Sequence, residues 1–102
     1  MAIALVVNFT VAKCNENKAK ELMRIMEGHT RKEPGSQIYI GHQSKENPLQ
    51  FLFYELYDNE AALDAHNAAP YFKEYVLDGL LPMMETKTFE KFDTFDSTAA
   101  KA

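Results

Sequence analysis

The sequence predicts an α+β domain of ferredoxin-like type: a four-stranded antiparallel sheet with its helices packed on one face, in the order βαββααβ. Four stretches carry strand-like alternation or unbroken apolar runs, and the segments between them carry helical spacing. The first and third strands are apolar on both alternating faces, which places each of them between two covering layers.

Residues 2–11 read as the first strand, with Ile3, Leu5, Val7, Phe9 and Val11 on one face and Ala4, Val6, Asn8 and Thr10 on the other. Asn15 is positioned to cap a helix running to about Glu33, with Ala19, Leu22, Met26 and His29 recurring at helical spacing. Pro34 disfavours helix at Glu33, and Gly35 supplies the turn. The second strand, 36–43, alternates Ile38, Ile40 and His42 against Gln37, Tyr39 and Gly41, and pairs as a hairpin with a third strand over 49–57. That third strand is dense in aromatics, and Glu55 is its only charge. A carboxylate there must find a hydrogen-bond partner, reach an edge or hold a proton. Asp58 is expected to cap a short helix to about Ala68, and Pro70 to open a second one with Phe72, Tyr75, Val76, Gly79 and Leu80 on one face. Pro82 stops that helix, and 86–92 is the last strand.

At 102 residues the chain is one domain over 1–95, with 96–102 expected as a flexible tail. A net charge of −4, with 11 basic residues dispersed among 15 acids, argues against a nucleic-acid partner. The opening MAIALVVNF is too short to span a bilayer and lacks a basic leader, so the expectation is a cytoplasmic protein with no membrane partner. The single Cys14 excludes an internal disulfide, and histidines at 29, 42 and 66 have no spacing that sets two ligands on one element, so no metal is expected. Helices cover one sheet face only; a second copy of the sheet is the simplest cover for the other, which predicts a homodimer.

TRKEPGSQIY at 30–39 and FYELYDNEAALDAHNAAPYFKEY at 53–75, with Asn8 in the first strand, resemble the antibiotic biosynthesis monooxygenase family, in particular its small quinol-monooxygenase-like members. The resemblance spans nearly the whole chain and implies a dimeric α+β barrel with a pocket in each subunit between sheet and helices. Haem-degrading relatives carry an Asn on the first strand, a Trp at the end of the third and a haem-ligating His in the last helix. Asn8 matches, but Tyr57 and Val76 stand at the other two places, so the resemblance implies neither haem nor another cofactor.

Two residues are candidate catalytic groups. His66 shares the inward side of its helix with Ala62 and Leu63 and could take a phenolic proton near neutral pH; its alternative role is to fix the turn before Pro70. Asn8 offers donors for an oxyanion on an otherwise apolar strand, or else pairs with a neighbour near the strand end. Tyr57, Phe53, Tyr39 and Phe72 are candidate pocket walls for a flat ring, Glu55 a candidate acid, base or positioning group, and His29 a more remote candidate that reads better as a partly buried histidine. The leading expectation is a cofactor-independent monooxygenase acting on a small quinol, phenol or polyketide-like aromatic, in keeping with the absence of a Gly-rich phosphate loop and of a lysine in an obvious apolar pocket. Two alternatives stay open. One is an isomerase or lyase on a small carbonyl or phosphorylated signalling compound, with Arg31 or Lys32 near the pocket mouth as phosphate contacts, and the other a non-catalytic, stress-associated dimer that sequesters a ligand.

Overall fold

The structure is a computed structural model that describes residues 2–95; the expected tail falls outside the described residues. Strand β1 (Ile3–Val11) leads into helix α1 (Glu16–Thr30), followed by β2 (Ser36–Gln43), β3 (Gln50–Tyr57), α2 (Glu60–Ala68), a π-helix (Phe72–Leu80), a 3-10 turn (Leu81–Met83) and β4 (Met84–Asp93). The sheet is antiparallel in the order β2-β3-β1-β4. The two strands that are apolar on both faces are therefore the two central ones, and the edges are the strands richer in polar residues.

Phe9, Val11, Phe51, Phe53 and Tyr39 project from the sheet into the main core, where Leu22, Met23 and Met26 of α1 and Leu80 of the π-helix meet them. The opposite face carries a smaller cluster, Ala2, Ala4 and Leu56, flanked by half-buried Ile38 and Tyr54, with Ile40 and Phe92 exposed.

Three local expectations need correction. Helix α1 ends at Thr30 rather than near Glu33: short bonds from Lys32 N–H to His29 O (3.2 Å) and Glu33 N–H to Thr30 O (2.9 Å) tighten the last turn. Pro34 keeps Glu33 out of the helical basin, which frees its side chain to reach inward. Asn15 stands at the start of α1 without a side-chain capping bond. The cap of α2 is Asn59, whose Oδ1 accepts from Ala62 N–H at 2.9 Å, while Asp58 accepts from Gln37 Nε2 at 2.7 Å. Gly35 does lie in the turn, as expected, and also permits a close approach, because a methyl group there would overlap Cβ of Ala62.

Ala69, extended at φ −67° and ψ 141° as the residue before a proline must be, separates α2 from the segment opened by Pro70. The segment after it winds as a π-helix, with a wider turn than the α-helix expected there. Its cavity-facing residues are accordingly Phe72, Val76, Leu77 and Leu80, and Tyr75 turns toward α1.

Candidate functional site

A cavity of about 540 Å³ lies between the helix-side face of the sheet and the α2–π-helix layer. Leu5, Val7, Phe53 and Tyr39 form its sheet wall, Leu63, Phe72, Val76 and Leu80 its helical wall, and the exposed Phe89, Lys87 and Lys91 border it from β4. The lining is mostly apolar, with Glu55 its buried carboxylate. Strand alternation explains the placement: Glu55 follows Phe51 and Phe53 on the inward face of β3 and stands opposite Leu5 of β1 and Tyr39 of β2.

Only 4% of Glu55 is exposed, and the protein meets the cost of burying it in two ways. The Tyr57 hydroxyl donates to Glu55 Oε1 at 2.6 Å. Burial, aided by the charge of Glu33 and opposed by the Tyr57 bond, raises the carboxyl pKa from its ordinary 4.5 to about 7. Near neutral pH the group therefore divides between acid and carboxylate. Burial and then the charge of Glu55 push the Tyr57 hydroxyl far above the ordinary tyrosine value, so it remains a donor. Tyr39 is raised for the same two reasons.

His66 sits behind Glu55, 1% exposed, among the rings of Tyr39, Tyr57 and Phe72 at centroid distances of 5.3–5.4 Å. Its Nδ1 lies 3.0 Å from Glu33 Oε2 and its Nε2 3.9 Å from Glu55 Oε1. Burial lowers its pKa, against the pull of Glu33, so the ring is neutral at pH 7. With a carboxylate as acceptor, the proton belongs on Nδ1, and the Nε2 lone pair faces Glu55. Glu33 also accepts a hydrogen bond from the Tyr71 hydroxyl. The tyrosine is pushed up to about 12, by partial burial and then by that bond. Glu33 and Tyr71 line a surface depression on the far side of α2, bounded also by Pro34, Asp58 and Ala62.

The structure thus gathers His66, Glu55, Tyr57, Phe53, Tyr39 and Phe72, with Tyr57 in a supporting layer and His66 behind the cavity surface. Two candidates lie elsewhere. Asn8 is on the helix-free face, where its Oδ1 accepts from Gln50 Nε2 at 3.1 Å; alternation puts it on the other side of the sheet from His66, so it offers no donor to the cavity. His29 is exposed and stacks on Tyr71 at 4.6 Å and Tyr75 at 5.8 Å, because it projects from the edge of the α1 core stripe toward the π-helix rather than into the cavity.

Sequence reasoning missed Glu33, Lys87 and Lys91. The two lysines overturn the expectation of no lysine beside an apolar pocket: pairing opposite Phe9 and Leu5 directs them inward from the edge strand, and Lys91 also meets Glu60 at 2.9 Å. Their spacing with Phe89 was a period-two signal on β4 that could have been read. Arg31, sought near the pocket mouth, instead meets Glu27 at 3.6 Å and the Tyr39 carbonyl at 3.3 Å beside a separate surface depression. Lys32, also sought there, does not line the cavity. Among the described residues no three His, Cys, Asp or Glu side chains gather closely enough to hold a metal ion, and no helix is long and apolar enough to cross a membrane.

Residues 2–77 match the model of the family described as antibiotic biosynthesis monooxygenase. A Nitrosomonas europaea protein named for the same monooxygenases superposes with a TM-score of 0.87 at 21% identity, covering 94% of this chain and 92% of its own. A Bacteroides thetaiotaomicron protein, described as a conserved protein of unknown function and possible oxidoreductase, superposes with a TM-score of 0.84 at 27% identity over 91% of this chain and 97% of its own. An uncharacterized Synechocystis protein is 43% identical over 47 residues, which are 46% of this chain and about a third (32%) of that relative's length.

Proposed function

Because the chain belongs to the antibiotic biosynthesis monooxygenase family, we propose that it is a cofactor-independent monooxygenase acting on a small phenol, quinol or polyketide-like aromatic. The observation that carries this reading is Glu55, a buried carboxylate with a pKa of about 7 facing an apolar cavity of about 540 Å³. In this reading a flat ring packs against Phe53 and Phe72, which line the cavity with Glu55, and turns its hydroxyl toward Glu55. The carboxylate takes the phenolic proton, and the water-poor walls keep the resulting anion reactive. The anion gives an electron to O2, the radical pair joins through a carbon–oxygen bond, and the peroxide loses water to leave a carbonyl. One phenol and one O2 thus become one quinone and one water. Lys87 and Lys91 supply positive charge on the side where the anion and reduced oxygen develop.

Oxygen uptake with a series of naphthols and naphthoquinols, with 18O2 incorporation into the product, tests the reading. Glu55→Gln should lower turnover by roughly 10²–10⁴-fold. Uptake no faster than autoxidation for every compound would refute it. A second reading, an isomerase or lyase acting on a small phosphorylated carbonyl compound, draws on the same two lysines as anion contacts. It predicts deuterium exchange into such a compound without oxygen consumption. In either case the working unit is proposed to be a homodimer joined through the helix-free sheet faces.

A further inference from the structure

Glu55 lines the cavity, Glu33 lines the depression on the outer side of α2, and His66 stands between them with one ring nitrogen toward each. We propose that Glu55, His66 and Glu33 form a proton shuttle that crosses the helix layer between the substrate cavity and the surface. The proposal rests on the reading of Glu55 as the base. His66 and Glu33 act through Glu55 and never touch substrate.

The shuttle moves one proton in two coupled transfers. Protonated Glu55 gives its proton to Nε2 of His66, and Nδ1 gives its own to Glu33, which is 16% exposed and in exchange with water. The 3.9 Å between Nε2 and Glu55 must close by roughly an ångström, a displacement of the size that ordinary side-chain motion supplies with or without substrate. Oxidation of a phenol to a quinone and water releases no net proton: the one taken from the hydroxyl is needed again by the departing water. The shuttle therefore runs outward while the anion reacts and inward when the peroxide breaks, and the ring returns to its starting tautomer without turning over. Storing the proton on Glu33 also leaves Glu55 ionised beside the anion only while Nε2–H is there to face it.

The surroundings fit that use. Tyr57 and Tyr39 face Glu55 from β3 and β2 as hydroxyls that keep their protons; Lys87 and Lys91 line the same cavity from β4, Lys91 being bonded to Glu60. Tyr71 bonds Glu33 on the outer side. A histidine present only to tie α2 to the 31–35 turn needs the Glu33 contact alone, and would not require a second carboxylate at its other nitrogen.

The test uses the full chain with no substrate. Glutamate labelled with 13C at the side-chain carboxyl reports exchange between the acid and carboxylate forms of Glu55 near pH 7. Glu33→Gln still accepts from Nδ1–H but cannot store a proton, and should slow that exchange roughly tenfold or more; Glu33→Asp, which keeps an acid there, should restore most of it. His66→Gln breaks the path at another atom and should also slow it, which keeps the test decisive if Glu33→Gln fails to fold. Unchanged exchange in folded Glu33→Gln or His66→Gln would overturn the shuttle, since the proton would then leave through the cavity. Oxygen uptake separates this from the function itself: slowed exchange in variants of an enzyme inert toward every phenol would sustain the shuttle and refute the monooxygenase.

Discussion

Glu55 ties stability to pH in a direction opposite to that of most carboxylates. Its folded pKa, about 7, lies above the ordinary 4.5, so the folded chain binds that proton more tightly than the unfolded one. The stabilisation is complete below pH 4.5 and is lost as pH rises to 7, by at most about 3 kcal/mol. His66, lowered by burial, works the other way: its contribution is present above its ordinary value of 6.5 and is lost as pH falls. Glu55→Gln removes the first effect and leaves the second. Denaturant unfolding at pH 5 and pH 7.5 should therefore show the variant gaining on the wild type by roughly 2–3 kcal/mol at the higher pH. A difference that does not move with pH would mean that Glu55 titrates normally in the folded chain.

Helix α2 is short, nine residues, and is held by its ends and by one close contact. Gly35 touches Ala62 so closely that a methyl group cannot be added without moving the helix or the turn. Glu33 and His66 lie on the same two elements, so the packing of the turn on α2 also sets the Glu33–His66 contact. Gly35→Ala should cost on the order of 1–3 kcal/mol through overpacking, and Ala62→Gly in the same chain should recover part of it. Thermal unfolding of the two single variants and the double variant measures that coupling; strictly additive changes would show that the contact is not the cause. The π-helix beside α2 serves the site differently. Its wide turn directs Phe72, Val76, Leu77 and Leu80 into the cavity, while Gly79 lets it approach Leu22 of α1.

At the scale of the whole molecule, the helix-free sheet face shows Ile40 and Phe92 exposed beside half-buried Val6, Leu52 and Tyr54. An apolar sheet face of this kind is suited to a second copy packed by two-fold symmetry, which leaves no fresh surface for further growth. Sedimentation at micromolar concentration should give a dimer, and Ile40→Glu with Phe92→Glu should shift it toward monomer. A wild-type monomer under those conditions would remove the dimer from the proposed function. Asn8 and Gln50, bonded to each other on that face, would then be solvent contacts rather than part of an interface.

Much of the architecture was legible in residue order alone. Period-two alternation assigned the faces of β1, β2 and β3, two-sided apolar runs marked the central strands, and prolines at 34, 70 and 82 punctuated the helices. These signals are local, a few residues long, and written in side-chain polarity. The same alternation already separated Asn8 from Leu5, Val7 and Phe9, so its distance from the cavity was present in the strand pattern even though its chemistry invited a catalytic role. Glu33 was not legible in that way. It meets His66 across 33 residues of chain, and only an early end to α1 and the docking of α2 on the turn bring the two together. Lys87 and Lys91 enter the cavity because β4 adds to β1 in one register, and a shift by one residue would send both to the opposite face. Polarity along the chain determined which residues turn inward; register and helix docking, which depend on contacts between distant segments, decided which of them meet.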